Sequence, residues 1–413
     1  MSESRPGADF DRLLREQRVV ICCGSGGVGK TTVSASLAFQ AALSGRKAVV
    51  CTIDPARRLA NSLGLGELGN EVVEVARERF TDVGLEPKGS LHALMLDTKG
   101  TFDKLIGRYA KSEEARQRIL ANKFYHQMSS TVVGSSDFMA MEKLYELHEQ
   151  GEFDLIVLDT PPTKHALDFL QAPQRMREAF DQSSLEVFLK PWTDAGKRSF
   201  GFIGRAMNRV VRKVDQVMGL TFVEDLADFF RAFEGMYDGF RGRAQKVDAL
   251  MREPFTSFVV VSSPSPLPLQ EASFFCERLR EFELPLAGVI LNRVHESGLS
   301  DPALRERVRA RLREDGPRPM LASAEAAALE AAGAEPLPAV LGPLLRSFVD
   351  TELLAAGDRA RITELAQGPA RGLALAEIPS FSSDVYDLNG LKRIIEHLFP
   401  AAHPALPPDG GPA

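Results

Sequence analysis

Six short apolar runs with little polar alternation punctuate the chain, at 18–23, 47–53, 91–96, 153–158, 256–261 and 286–291. Near-continuous runs of this kind, rich in Val, Ile and Leu, suit strands buried on both faces of a parallel sheet. Stretches of helical spacing separate many of them, for example 31–43 and 270–282. Strand, helix, strand in repetition predicts an α/β fold, with a mostly parallel central sheet flanked by helices and joined by right-handed crossovers.

Two intervals carry helical spacing only, about 98–150 and about 174–252. In the second, Ile203, Met207, Val210, Val211, Val214, Val217 and Met218 form one apolar stripe. Phe222, Leu226, Phe229, Phe230, Phe233, Met236, Tyr237 and Phe240 form another. Both intervals are expected to be helical insertions that make a subdomain on one side of the sheet. Beyond Arg293 the chain is Ala-rich and helical in character, with a weak strand signal at 372–378. Residues 400–413 are rich in Pro, Gly and Ala and bury little, so a disordered tail is expected there, leaving 1–399 as one domain.

Directly after the first run comes Gly24-Ser25-Gly26-Gly27-Val28-Gly29-Lys30-Thr31-Thr32, which fits the phosphate-binding pattern G-x-x-x-x-G-K-[ST]. By chance the four fixed positions turn up in a chain of this length on the order of a per cent of the time. A buried-type strand before the loop and a helix after it make the match far more specific. Glycines let the backbone wrap an anion with its N–H groups pointing inward, and the following helix presents its positive end. Lys30 is expected to reach the β- and γ-phosphates of ATP, and the Thr31 hydroxyl to ligate Mg²⁺. The fold class is therefore that of a P-loop NTPase with an inserted helical subdomain.

Such a site also needs a carboxylate at the end of a neighbouring strand. Asp159 closes the run 153–158 and precedes Thr160-Pro161-Pro162-Thr163, the place expected for it. Asp54 closes the run 47–53, ahead of Pro55-Ala56-Arg57-Arg58. A carboxylate there can orient or deprotonate an attacking water, or simply cap the turn that follows.

Composition narrows the classes further. The net charge of −6 gives no global reason to expect nucleic-acid binding. Cys22, Cys23, Cys51 and Cys276 show no CxxC spacing, and three of them sit inside strand-like runs, as buried thiols do. The first residues lack the apolar core of a secretory signal, and no stretch reaches the roughly 18 uninterrupted apolar residues of a spanning helix. A soluble, cytoplasmic protein is expected, with membrane contact at most peripheral. Lys197, Arg198, Arg205, Arg209, Arg212 and Lys213 flank the first stripe. They read either as a basic surface for a membrane or acidic client, or as the solvated face of a packed helix.

The loop 24–32, the segment Thr52-Ile53-Asp54-Pro55-Ala56 and the segment Asp159-Thr160-Pro161-Pro162-Thr163-Lys164-His165 together resemble the arsenite-pump ATPase (ArsA) family. That family also contains the ATPases that target tail-anchored membrane proteins, and it belongs to the deviant-Walker P-loop proteins. Further likeness lies in 135–142, 230–237 and 288–293, so the resemblance spans roughly 19–399. It implies that Asp54 positions the attacking water, that Asp159 serves the magnesium shell through water, and that Asn292, after a strand, reads the adenine base. A turn-forming role for Asn292 stays open beside that. It also implies dimers that close around two ATP molecules and couple hydrolysis to a client, one that bears hydrophobic segments. The aromatic stripe, with Met139, Met141 and Met236, would then line a client groove, or else be core.

The chain departs from the family at Ser25, where the usual loop carries a lysine that reaches the partner's nucleotide. Three outcomes stay open: Arg57, Arg58 or Lys164 substitutes for it; a paralogue bearing the lysine pairs with this chain as a heterodimer; or ATP is bound well and hydrolysed slowly. The zinc-binding CxxC, the second P-loop and any cysteine cluster suited to arsenite are absent from the sequence. A regulatory nucleotide-binding subunit and a positioning or partitioning ATPase remain as alternatives.

Overall fold

The computed structural model describes residues 8–53, 58–123, 125–126, 135–161, 166–179, 229, 236–315, 338–400 and 402. The apolar runs form strands β1 (Val19–Cys23), β2 (Lys47–Thr52), β4 (Ser90–Met95), β5 (Leu155–Asp159), β6 (Thr256–Ser262) and β7 (Leu286–Val294). Two edge strands complete the sheet, β3 (Val73–Glu74) and β8 (Ala374–Pro379), in the order β3-β4-β2-β5-β1-β6-β7-β8. Every pairing is parallel except that of β3 with β4. The inner strands β1, β5 and β6 are buried along their whole length, which is why their sequences run apolar without alternation. The weak signal near 372–378 is a real strand. The two-residue β3 has no apolar signature of its own.

Helices cover both faces. In chain order they are α1 (Ala8–Glu16), α2 (Lys30–Leu43), α3 (Arg58–Ser62), α4 (Arg77–Thr81), α5 (Thr98–Tyr109), α6 (Glu113–Ala121), α7 (Ser135–Gln150), α8 (Ala166–Ala179), α9 (Tyr237–Arg252), α10 (Pro266–Glu281), α11 (Pro302–Asp315), α12 (Pro338–Gln367) and α13 (Leu388–Leu398). Successive strand residues point to opposite faces, so β1 sends Val19, Ile21 and Cys23 into one core, and Val20 and Cys22 into another. The second core lies under α1, α2, α3, α4 and α13. The first is filled from α5 to α10, with Ile362 and Leu365 of α12.

Within the interval 98–150 the described residues form α5, α6 and α7, and all three pack on the first face. Most of the interval 174–252, including the basic segment 197–213, lies outside the described residues, as does nearly all of 400–413. The described members of the aromatic and methionine stripe are Met139, Met141, Phe229, Met236, Tyr237 and Phe240, and all are buried in the first core. That part of the stripe is core and not groove. All four cysteines are free and buried. Loss of hydration pushes the thiols of Cys22 and Cys51 up to about 12 and Cys276 to about 11, so they stay protonated and inert.

One ion pair joins the insertion helices. Arg243 of α9, 2% exposed, donates from Nε to both carboxylate oxygens of Glu142 on α7, at 2.9 and 2.7 Å. Its Nη1 reaches Glu149 at 2.9 Å, and its guanidinium lies 4.1 Å from the Tyr145 ring centroid. Burial pushes the Glu142 carboxyl above its ordinary range, against the pull of Arg243. Removing one partner strands the other in an apolar layer, which costs more than the pair is worth when intact. Arg243→Ala is therefore expected to lose about 3–5 kcal/mol of stability in urea unfolding. The double replacement Arg243→Met with Glu142→Met should lose far less. A single-variant loss below about 1 kcal/mol would contradict this account.

Candidate functional site

The parallel strands all end at one edge of the sheet, where α/β folds place their ligands. There the loop 24–29 leaves β1 and turns into α2. Three of its glycines have positive φ: Gly24 at 149°, Gly27 at 78° and Gly29 at 93°. A Cβ on Gly24 would stand 2.0 Å from the Val261 carbonyl oxygen of β6, and one on Gly29 2.3 Å from Asn292 Nδ2. Gly27 has open space around it, and Gly26 and Gly27 are exposed. The loop thus passes against β6 and β7 only because Gly24 and Gly29 carry no side chain. Helix α2 has no acidic residue of its own in the first turn, so the carboxyl group beside its positive end, that of Asp159, comes from β5.

Lys30 is buried, and its Nζ donates to the Ser25 carbonyl at 2.8 Å. Thr31 Oγ1 donates to Asp159 Oδ2 at 2.6 Å. Thr52 Oγ1, from the end of β2, donates to the same oxygen at 2.7 Å. Asp159 is 1% exposed and lies opposite Cys22 of β1 and Thr52 of β2 in the sheet register. The next residue, Thr160, donates from both its hydroxyl and its N–H to the Cys22 carbonyl, at 2.9 and 3.2 Å. Thr32 continues α2, half-buried, its carbonyl taken by Ser36 Oγ. Ser25 is 7% exposed, and its Oγ has no hydrogen-bond partner among the described residues.

Asn292 does not follow a strand, as its position in the sequence suggests. It lies inside β7, where pairing with β8 slips between Leu291 and Val294 and Arg293 takes a left-handed φ of 62°. That irregularity frees the Asn292 side chain to turn toward the loop. Its Nδ2 donates to the Val28 carbonyl at 2.8 Å, and its Oδ1 accepts the Arg293 N–H at 3.0 Å. Asp54, Arg57 and Lys164 lie outside the described residues, and Arg58 opens α3 with an exposed side chain.

The residues that sequence reasoning passed over are hydroxyls and carboxylates contributed from far along the chain. Thr52 lies inside the run 47–53, and a polar residue there was the one local signal. Buried Glu352 and Asp358 of α12 hold the turn after β7. Glu352 accepts from Ser297 Oγ and the Gly298 N–H, and Asp358 accepts from the His295 N–H at 3.0 Å. Chemically, a hydroxyl and a carboxylate 2.6 Å apart beside a helix N-terminus offer hard oxygen donors suited to magnesium. The Cβ-free loop beside them suits a phosphate chain.

The glycine geometry separates two substitutions. Gly24→Ala meets a carbonyl as well as an unfavourable φ and should lose at least about 3 kcal/mol of stability. Gly27→Ala meets only the φ term, about 1–2 kcal/mol. Urea unfolding of the two variants measures this, and equal losses would refute the packing account.

The family model described as anion-transporting ATPase matches residues 17–312. ATPase ARSA2 of Chlamydomonas reinhardtii is 26% identical over 283 residues, covering 68% of each chain. ATPase GET3 of Malassezia globosa is 25% identical over 276 residues, 67% of this chain and 72% of that protein. A putative arsenical pump-driving ATPase of Aquifex aeolicus is 24% identical over 287 residues, 67% of this chain and 63% of that one. With a glycine loop, a lysine and a strand-end carboxyl group assembled at the sheet edge, the chain belongs to the anion-transporting (ArsA) ATPase family and is an ATPase.

Proposed function

We propose that this protein hydrolyses ATP with magnesium at the loop 24–32 and that the nucleotide cycle drives a dimeric switch acting on a protein client. The observation that carries the site is the bond from Thr31 to Asp159, which joins the loop to the carboxyl group at the end of β5. In this reading the backbone of Gly24, Ser25, Gly26, Gly27, Val28 and Gly29 cradles the phosphates. Lys30 exchanges the Ser25 carbonyl for the β- and γ-phosphates, and Thr31 and Thr32 close the loop. Magnesium, when bound, neutralises developing charge on the phosphates. Thr31 and Asp159 are the residues that would hold it, the hydroxyl as a ligand and the carboxyl group through water. Asp54 orients the attacking water.

Dimer closure and a client with hydrophobic segments rest on the family resemblance. The described apolar residues of the insertion helices are core, so a client surface would have to come from elsewhere in the insert. Among the described residues no helix is long and apolar enough to cross a membrane. We place the protein in the cytoplasm, as a single domain over 1–399 with at most peripheral membrane contact and no nucleic-acid partner.

A second reading is favoured by one feature. Ser25 is buried and uncharged where the family's loop carries its lysine. It cannot supply a cation to a partner's nucleotide, which fits a regulatory subunit paired with a lysine-bearing paralogue. ATP hydrolysis by the purified chain, measured with Mg²⁺ over a range of protein concentrations, decides between them. Specific activity that rises with concentration and vanishes in Lys30→Ala supports the homodimeric switch. Tight ATP binding with negligible turnover at every concentration supports the heterodimer. Unchanged ATP affinity in Lys30→Ala would reject the site itself.

The Asn292 amide keeps one hydrogen and one lone pair beyond the bonds it makes to Val28 and Arg293. It can brace the loop and still read a base. Asn292→Ala is expected to narrow the preference for ATP over GTP in competition binding. An equal loss for both nucleotides would leave it a brace alone.

A further inference from the structure

Thr52 is the last residue of β2 and is buried. Burial alone does not ask for a hydroxyl there, since Val49 and Val50 of the same strand are fully buried without one. A hydroxyl removed from water without a partner is costly, so its partner is informative. Thr52 Oγ1 donates to Asp159 Oδ2 at 2.7 Å. The sheet sets this contact. Strands β2 and β5 are parallel neighbours with Thr52 opposite Asp159, so the two side chains emerge on the same face. That face is the one under α2, because Val50 and Val157, two residues earlier, belong to the core there. Thr31, in the first turn of α2, reaches the same oxygen at 2.6 Å. One carboxylate oxygen therefore takes two hydroxyl hydrogens, one from the loop-and-helix unit and one from the neighbouring strand. Two residues after Thr52 stands Asp54.

We propose that Thr52 is a positioning residue for the ATPase reaction: its hydroxyl fixes the Asp159 carboxylate at the end of β5 and ties it to the strand from which the Asp54 segment departs. The inference rests on the magnesium-dependent reading of the site given above. A hydroxyl bound to a carboxylate makes a charge-assisted bond, stronger than a neutral one. A threonine that ligates a cation through its oxygen lone pair still has its hydrogen to give. Thr31 can thus serve cation and carboxylate together, while Thr52 holds Asp159 from the side away from the loop. Deleting the Thr52 hydroxyl leaves the loop backbone and Lys30 in place but loosens the group that holds the metal's water shell. The loss should therefore fall on the magnesium dependence of nucleotide binding, not on nucleotide binding itself.

The test is calorimetric binding of a non-hydrolysable ATP analogue, in EDTA and across a Mg²⁺ titration. It uses the full chain, Thr52→Val, Thr52→Ser and Lys30→Ala. In Thr52→Val the metal-free affinity is expected to stay within about twofold of wild type, while the Mg²⁺ concentration giving half of the affinity gain rises about tenfold. Thr52→Ser keeps the hydroxyl and should titrate like wild type. Should Thr52→Val fail to fold, Thr52→Ala carries the same comparison. Thr52→Val titrating like wild type, or losing affinity equally with and without Mg²⁺, would overturn the proposal, as would Thr52→Ser behaving like Thr52→Val. A wild-type protein whose affinity ignores both Mg²⁺ and Lys30→Ala would overturn the reading of the site and this proposal with it. Normal wild-type responses beside an unaffected Thr52→Val would overturn this proposal alone.

Discussion

A carboxyl group with almost no access to water sits at the end of the strand next to the centre of the sheet, and much of the surrounding architecture serves to hold it there. Burying such a group is unfavourable unless donors replace its hydration. Asp159 receives hydroxyls from α2 and from β2, and the residue after it is pinned to β1 through Thr160 and the Cys22 carbonyl. Neither hydroxyl donor, Thr31 or Thr52, is near it in sequence, and nor is Cys22. They arrive because β5 lies between β1 and β2 with Cys22 and Thr52 both in register with Asp159. A slip of one residue would turn Thr52 to the opposite face and pull the arrangement apart. The side chains of β1, β2 and β5 are packed into two separate cores, one on each face, and a slip would have to repack both, so the core specifies the site as much as it stabilises the fold.

The two faces of the sheet divide the work. Under α2 the second core fixes the loop, with Gly24 passing against β6 and Gly29 against Asn292 of β7. On the other face the insertion helices pack as a layer joined by Arg243 and Glu142. A third contribution comes from α12, which lies beyond the segment matched by the family model. Its buried Glu352 and Asp358 accept backbone N–H groups from Gly298 and His295, just after Asn292. Arg361, one turn from Asp358 and paired with it, donates to the Pro264 carbonyl after β6. The turns after β6 and β7 are thereby tied to one helix, and the position of Asn292 over the loop depends on a segment some sixty residues further along the chain.

What was legible in the sequence follows from this geometry. Fully buried parallel strands need unbroken apolar runs, so six of the eight strands announce themselves, and the glycine loop is legible because backbone sterics demand those residues at those places. Asp159 could be found because it ends such a run. β3 could not, because two partly exposed residues leave no pattern. Asn292 was placed after its strand because the β7 irregularity depends on the left-handed Arg293, for which nothing in the local sequence asks. Thr52, Glu352 and Arg243 draw their importance from partners 107, 54 and 101 residues away. Periodicity reports only on local spacing, and pairings at that range come from the order of strands in the sheet.

Ser25 carries the same reasoning to the one place where the loop departs from its family. A lysine at this position would need an open path for a long charged side chain, since an ammonium held in a site that leaves 7% of the residue exposed would lose most of its hydration. A serine fits such a site at small cost. The cation inside the loop is Lys30, and it rests on the Ser25 carbonyl. A neutral carbonyl is a weak competitor for an ammonium beside a multiply charged phosphate, so the resting bond favours release of Lys30 when an anion enters. In the proposed cycle the loop's charge then acts within its own protomer, together with the positive end of α2. Charge from outside the protomer would have to come from another side chain or another chain.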